Sequence, residues 1–290
     1  MNRSETGEFL YRYFRKLIAS FQSSLYKAAI TCDIEDIHKA RVDVKKMNAL
    51  FILFDTAVPG FSKETGARRL FKDLFNKAGT IREIQLILLS LEKKNDPDPV
   101  LFEFHEWLLK RNQMQIRQYL KSITDFDRNK LKDLTRSVKK LVNRVSKKQL
   151  IINSWEMIDR SSLRVKYLLT GWNDPRYIHR IRQNVKAMSA IASQVSQVAP
   201  TTRLNQLRID LTSTEIAIGE WHDRIVIIST MERFMKTTPY SKASSHVHFL
   251  DFKDQLMREN EAVLEKLEPE IKAVVLLIKS IVRRPTHRVN

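Results

Sequence analysis

Apolar residues return at steps of three and four along almost the whole of this chain, and strict two-residue alternation is absent. In EFLYRYFRKLIASFQSSLYKA, Phe9, Leu10, Tyr13, Phe14, Leu17, Phe21 and Leu25 fall on one face of a helix. FEFHEWLLKRNQMQIRQYLKSI, LKDLTRSVKKLVNRV and LEKLEPEIKAVVLLIKSIV carry the same spacing. With 6 Gly and 8 Pro in 290 residues, sharp turns are few, which excludes turn-rich β architectures. The expected fold class is all-α. Breaks are expected at VPGF (58–61), NDPDP (95–99), TGWNDPR (170–176), APTT (199–202) and TTPY (237–240). Asp98 and Pro99 are placed to start a helix, and Asn173 or Asp174 is placed to cap one that has Pro175 in its first turn.

The chain carries 51 Lys and Arg against 33 Asp and Glu, a net charge of +18. A surface so charged repels itself, and the usual compensation is an anionic partner such as nucleic acid, membrane headgroups or another polyanion. Cys32 is the only cysteine, which excludes an internal disulfide framework and any cysteine-rich zinc site. The N-terminal MNRSETGEF lacks the apolar core of a secretion signal. No apolar run approaches the roughly 20 residues that span a bilayer, and AVVLLI at 273–278 is far too short. A soluble, cytoplasmic protein with no membrane insertion is expected.

Internal repetition is the most informative pattern. A shift of 141 residues sets His38 on His179, Arg41 on Arg182, Val44 on Val185, Lys45 on Lys186 and Met47 on Met188. At a shift one residue smaller, GTIRE from Gly79 falls on GEWHD from Gly219. Two signals in the same order at nearly equal spacing argue for duplicated halves, about 1–147 and 148–290, and for two similar helical bundles packed together. The two glycine segments are expected to open helices, with Glu83 and Asp223 as caps or as partners of nearby cations.

On a helical wheel with about 100° per residue, His38, Arg41 and Lys45 share one narrow strip. Ile37, Ala40, Val44, Met47, Phe51 and Phe54 take the neighbouring arc, and Lys46 lies off the strip. His179, Arg182 and Lys186 repeat the arrangement beside Ile178, Ile181, Val185, Met188 and Ala192. Cations at the margin of a core stripe are costly to bury unpaired, so they must reach outwards or line a wet groove. If the halves pack about a rough two-fold, the two strips face one another across a positive channel.

His-x-x-Arg-x-x-x-Lys-Lys at His38, Arg41, Lys45 and Lys46 resembles the signature helix of the CHAD family, the conserved histidine α-helical domain. His179, Arg182 and Lys186 resemble its second copy, and GTIRE and GEWHD resemble the glycine segments that follow in each half. The resemblance implies two four-helix bundles related by pseudo-two-fold symmetry, forming one compact unit with a basic central groove. It further implies non-catalytic binding of inorganic polyphosphate, in a stand-alone protein without the triphosphatase domain fused in front of some relatives.

On that reading the binding residues are His38, Arg41, Lys45, Lys46, Arg82, His179, Arg182, Lys186 and His222. The arginines would fork onto phosphate oxygens, and the lysines would act as mobile charges. Arg68, Arg69 and Lys72 stand where they would widen the groove. Asn48, Ala187 and Ser189 replace cations usual in the family, and Asp43 adds an acid to the first helix. No cofactor and no metal site is expected, because His246 and His248 lack a completing cluster of acids. Nucleic-acid binding through the same charge is the alternative, and a phosphoanhydride-processing enzyme would need more clustered carboxylates than Asp43, Glu83 and Asp223 provide.

Overall fold

The computed structural model describes residues 3–92, 99–237 and 247–282, and every regular element among them is helical. In chain order these are α1 (Arg3–Thr31), α2 (Ile34–Ala57), a single-turn α3 (Phe61–Glu64), α4 (Ala67–Glu92), α5 (Pro99–Thr124), α6 (Arg128–Val142), α7 (Lys147–Leu168), α8 (Pro175–Val198), α9 (Thr202–Thr237) and α10 (Val247–Val282). A 3₁₀ turn, Leu169–Gly171, separates α7 from α8. The order α7, α8, α9, α10 matches α1, α2, α4, α5. The basic strips lie on α2 and α8, and the glycine segments lie on α4 and α9. Among the described residues, helices α3 and α6 have no counterpart in the second half.

Local chemistry fixes the helix ends. Asp33 caps α2 by accepting from the Glu35 N–H at 3.0 Å, and Asp127 caps α6 by accepting from Asn129 and Lys130. Asp174 accepts from the Arg176 N–H at 2.8 Å with Pro175 in the first turn of α8, the start that the sequence predicts. Between α1 and α2 the backbone turns at Cys32, which takes φ 55 in the left-handed region normally left to glycine. The helical α5 begins at Pro99 and α9 ends at Thr237. The rest of NDPDP and TTPY, together with His246, lies outside the described residues.

The two glycine segments depart from expectation. Gly79 lies in the middle of α4 and Gly219 in the middle of α9, so neither opens a helix, and Glu83 and Asp223 cap nothing. The apolar periodicity on both sides of each glycine is strong enough to carry the helix through it, and one glycine costs only about 1 kcal/mol there.

One core runs through both halves, from Leu10 and Phe14 on α1 to Ile278 and Ile281 on α10. In its first-half portion Phe71 sits against Phe21 (ring centroids 5.3 Å), Phe126 (6.0 Å) and Phe51 (6.2 Å). A second, smaller core forms where the far ends of α4 and α5 meet those of α9 and α10, around Phe104, Phe234 and Phe249. Both halves build it, so it ties the glycine-bearing helices α4 and α9 together beyond the groove. Buried Asn260 on α10 holds α9 as well: turned to pair correctly, its amide meets the carbonyl and the indole N–H of Trp221, 3.2 Å each.

Phe71 is fully buried within the aromatic cluster that α1, α2 and α4 share. Phe71→Ala is expected to lower unfolding free energy by about 3–5 kcal/mol, read from urea unfolding monitored by circular dichroism.

Candidate functional site

The packing of α2 against α8, flanked by α4 and α9, brings the two basic strips to one central groove. Arg41 on α2 is half-buried and laid flat against α4. Its Nη1 donates to the Phe75 carbonyl at 2.9 Å, and its Cζ lies 4.1 Å from the centroid of the Phe75 ring. Gly79, one turn further along α4, makes room for it: a Cβ at Gly79 would stand 3.1 Å from Arg41 Nη1. The first glycine is therefore a seat for a guanidinium. The second is not, because a Cβ at Gly219 would meet nothing within 4 Å.

Lys45 on α2 reaches across to Glu215 on α9, with Nζ and Oε1 2.9 Å apart, so an ion pair bridges the two halves over the groove. Arg182 on α8 lies within the field of Glu83, Glu215 and Asp223, while its own Nε is buried without a partner among the described residues. His38 Nδ1 is likewise buried and unpartnered. The His179 and His222 rings lie 5.8 Å apart, and His179 Nε2 is 3.0 Å from the Gln183 amide. Arg82 donates to Gln85 and faces His38 and Asp223.

Eight of the nine sequence-predicted residues thus gather at one place: His38, Arg41, Lys45 and Arg82 from the first half, and His179, Arg182, Lys186 and His222 from the second. Lys46 is exposed and points about a third of a turn away from the strip of α2. Asp43 does not dilute the groove. It is 5% exposed on the core side of α2, with one carboxylate oxygen lacking a partner among the described residues. His248 is exposed on α10, and among the described residues no group of three His, Cys, Asp or Glu is placed to hold a metal ion.

Crowding cations at the margin of a core shifts their protonation. Burial, followed by the charges of Arg182 and Lys45, brings the Lys186 ammonium down to about 8. Burial with Arg182, His179 and Lys186 beside it brings His222 down to about 4. His38 is lowered by burial and then by Arg82. The carboxyls of Glu83 and Asp223 reach water, yet enough protein surrounds them that burial raises both above the ordinary range, against the opposing pull of Arg41 on Glu83 and of Arg182 on Asp223. Arg41 and Arg182 lose some basicity to burial but remain charged.

Sequence reasoning missed Phe75, Glu215 and Arg233. Phe75 and Glu215 occupy equivalent registers, one turn before Gly79 and Gly219, so the repeat itself could have pointed to both. Arg233 lies with Arg111 and Glu83 around a crevice of about 220 Å³ between α4, α5 and α9, and only the fold brings those three together.

A family model described as "CHAD domain" matches residues 12–154. The crystal structure of the CHAD domain from the plant Ricinus communis superposes with a TM-score of 0.65 at 15% sequence identity, covering 92% of each chain. No curated protein matches the chain in sequence. Among the described residues, no helix is long and apolar enough to cross a membrane.

His222 should stay neutral down to about pH 4, whereas an unfolded histidine protonates near 6.5. Its depressed value therefore adds stability above pH 6.5 that is lost as the pH falls towards 4. An imidazole NMR titration checks this: the His222 resonances should hold nearly still between pH 8 and 5 and move only as the pH falls towards 4.

Proposed function

We propose, from the CHAD family-model match over residues 12–154 and the CHAD fold along the chain, that this protein binds inorganic polyphosphate in the groove between α2, α4, α8 and α9 and performs no chemistry on it. The carrying observation is Arg182. Carboxylates on the neighbouring helices offset its charge, but its Nε is buried without a partner among the described residues, and an unsatisfied buried donor is an unfavourable arrangement for a protein alone. A phosphate oxygen is the partner that its fork geometry suits.

Arg41 presents its second face from the Phe75 ring, and Lys45 and Lys186 flank the pair from opposite halves. Neutral His38 and His222 each offer one ring N–H, and a polyanion alongside would draw protons onto them. Glu83 and Asp223 sit beside guanidinium groups, where they neutralise cations in the unbound groove. The reading places the protein in the cytoplasm, at polyphosphate granules.

Two measurements test it. Long-chain polyphosphate is titrated against wild type and the Arg41→Ala/Arg182→Ala variant at several salt concentrations, with duplex DNA as competitor. The double variant should lose on the order of a hundredfold or more in affinity, since each charge-assisted contact is worth about 1.5–3 kcal/mol. Equal affinity in the variant sinks the site, and efficient displacement by DNA would favour the nucleic-acid reading. Binding should also take up protons near pH 8, because a polyanion raises the ammonium that burial holds at about 8. Calorimetry in buffers of different ionisation enthalpy reads this uptake, which should vanish in Lys186→Gln.

A further inference from the structure

The basic strip of α2 does not end at Lys45. Steps of three and four carry it on through Asn48 to Ile52. On the facing helix α4, the stripe that holds Gly79 and Arg82 continues the other way through Phe75 and Lys72 to Arg68. The two helices run antiparallel, so these extensions meet. They enclose a cleft of about 660 Å³ lined by Asn48, Ile52, Arg68, Arg69, Lys72 and Phe75. Phe75 belongs to both places, since the ring and carbonyl that seat Arg41 also wall the cleft.

The charges in this cleft differ from those in the groove. Every ionisable residue lining it is a cation. Arg68 is paired with Asp55 at 3.1 Å. Arg69 and Lys72 are exposed and have no ion-pair partner among the described residues. Asn48 adds a polar group in need of one: its side-chain oxygen is buried and unpartnered, and its amide can turn to present the NH₂ instead. The cation that α2 lacks at Asn48 is thus supplied across the cleft by α4. The second half has no such extension. At the equivalent registers Ser189 replaces Asn48, Thr212 replaces Lys72 and Ile209 replaces Arg69, and only Arg68 keeps a counterpart, in Arg208.

Resting on the polyphosphate reading of the groove, we propose that this cleft is an outer anion subsite. Arg69, Lys72 and the Asn48 amide hold phosphate groups of a chain whose other part lies on Arg41 and Arg182. From Arg68 to Arg82 the wall of α4 is about 21 Å long at 1.5 Å per residue. A short oligophosphate fills the centre alone, and a long chain reaches both places. The extension is one-sided, so the bound polymer leaves the groove preferentially along α2 and α4.

The test compares Arg69→Gln/Lys72→Gln with wild type and with Arg41→Ala/Arg182→Ala, using inorganic triphosphate and long-chain polyphosphate as probes at several salt concentrations. Both substituted positions in the outer variant are exposed, and unchanged thermal melting confirms its fold. The outer variant should keep its triphosphate affinity within about twofold, lose about tenfold or more for the long chain, and show a salt slope smaller by about two, one for each phosphate contact removed. Unchanged long-chain affinity and slope overturn the subsite, and so does an equal loss for both probes, which would mean that the two cations act on the whole groove. If either happens while the Arg41/Arg182 variant loses both probes, the central site stands and only the extension falls. Wild type binding neither probe overturns both.

Discussion

The centre of this molecule is organised by the cost of holding guanidinium groups half out of water. Arg41 and Arg182 stand at the margin of a continuous hydrophobic core, where an unpaired charge is expensive. Arg41 meets that cost locally: a helical carbonyl accepts from it, an aromatic face lies against it, and a glycine in mid-helix lets it come close. Arg182 has no such seat, and its compensation comes from carboxylates on the neighbouring helices. The same residue type at the same register of a repeat therefore plays two parts, one fixed and one open. The difference lies one turn before each glycine, where the first half has Phe75 and the second has Glu215.

Charge balance within the groove follows from that asymmetry. Glu215 reaches over to Lys45 and couples the halves, while Glu83 and Asp223 temper the field between the arginines. Without these acids, the mutual repulsion of the cations would oppose the packing of α2 on α8. With them, Lys186 remains near the edge of its charged range. On the proposed reading, a groove so poised takes up protons as a polyanion enters, so that binding strengthens as its own field is neutralised. The second core, built from the far ends of α4 and α9 with α5 and α10, keeps the two glycine-bearing walls in fixed relation.

Much of this was legible in the residues. The repeat at 141 named the two helices that meet, and the wheel placed His38, Arg41 and Lys45 on one strip and left Lys46 outside it. The Asp174 cap with Pro175 was readable from local chemistry alone. What failed was the reading of glycine. Gly79 and Gly219 looked like helix starts because glycine usually breaks helices, yet strong periodicity on either side carried the helix through. Asp43 looked like a charge against the groove because sequence proximity says nothing about direction; it points into the core instead.

The sequence by itself determined the helical class, the doubled basic helix and the identity of the cations, because periodicity and repetition are properties of one strand of residues read in order. Only the tertiary structure decided which side chains neutralise them. Lys45 and Glu215 are 170 positions apart, and the cleft that Arg69 and Lys72 share with Asn48 exists only because α2 and α4 pack antiparallel. Electrostatic partnership falls off with distance in space, and no pattern along the chain measures that distance.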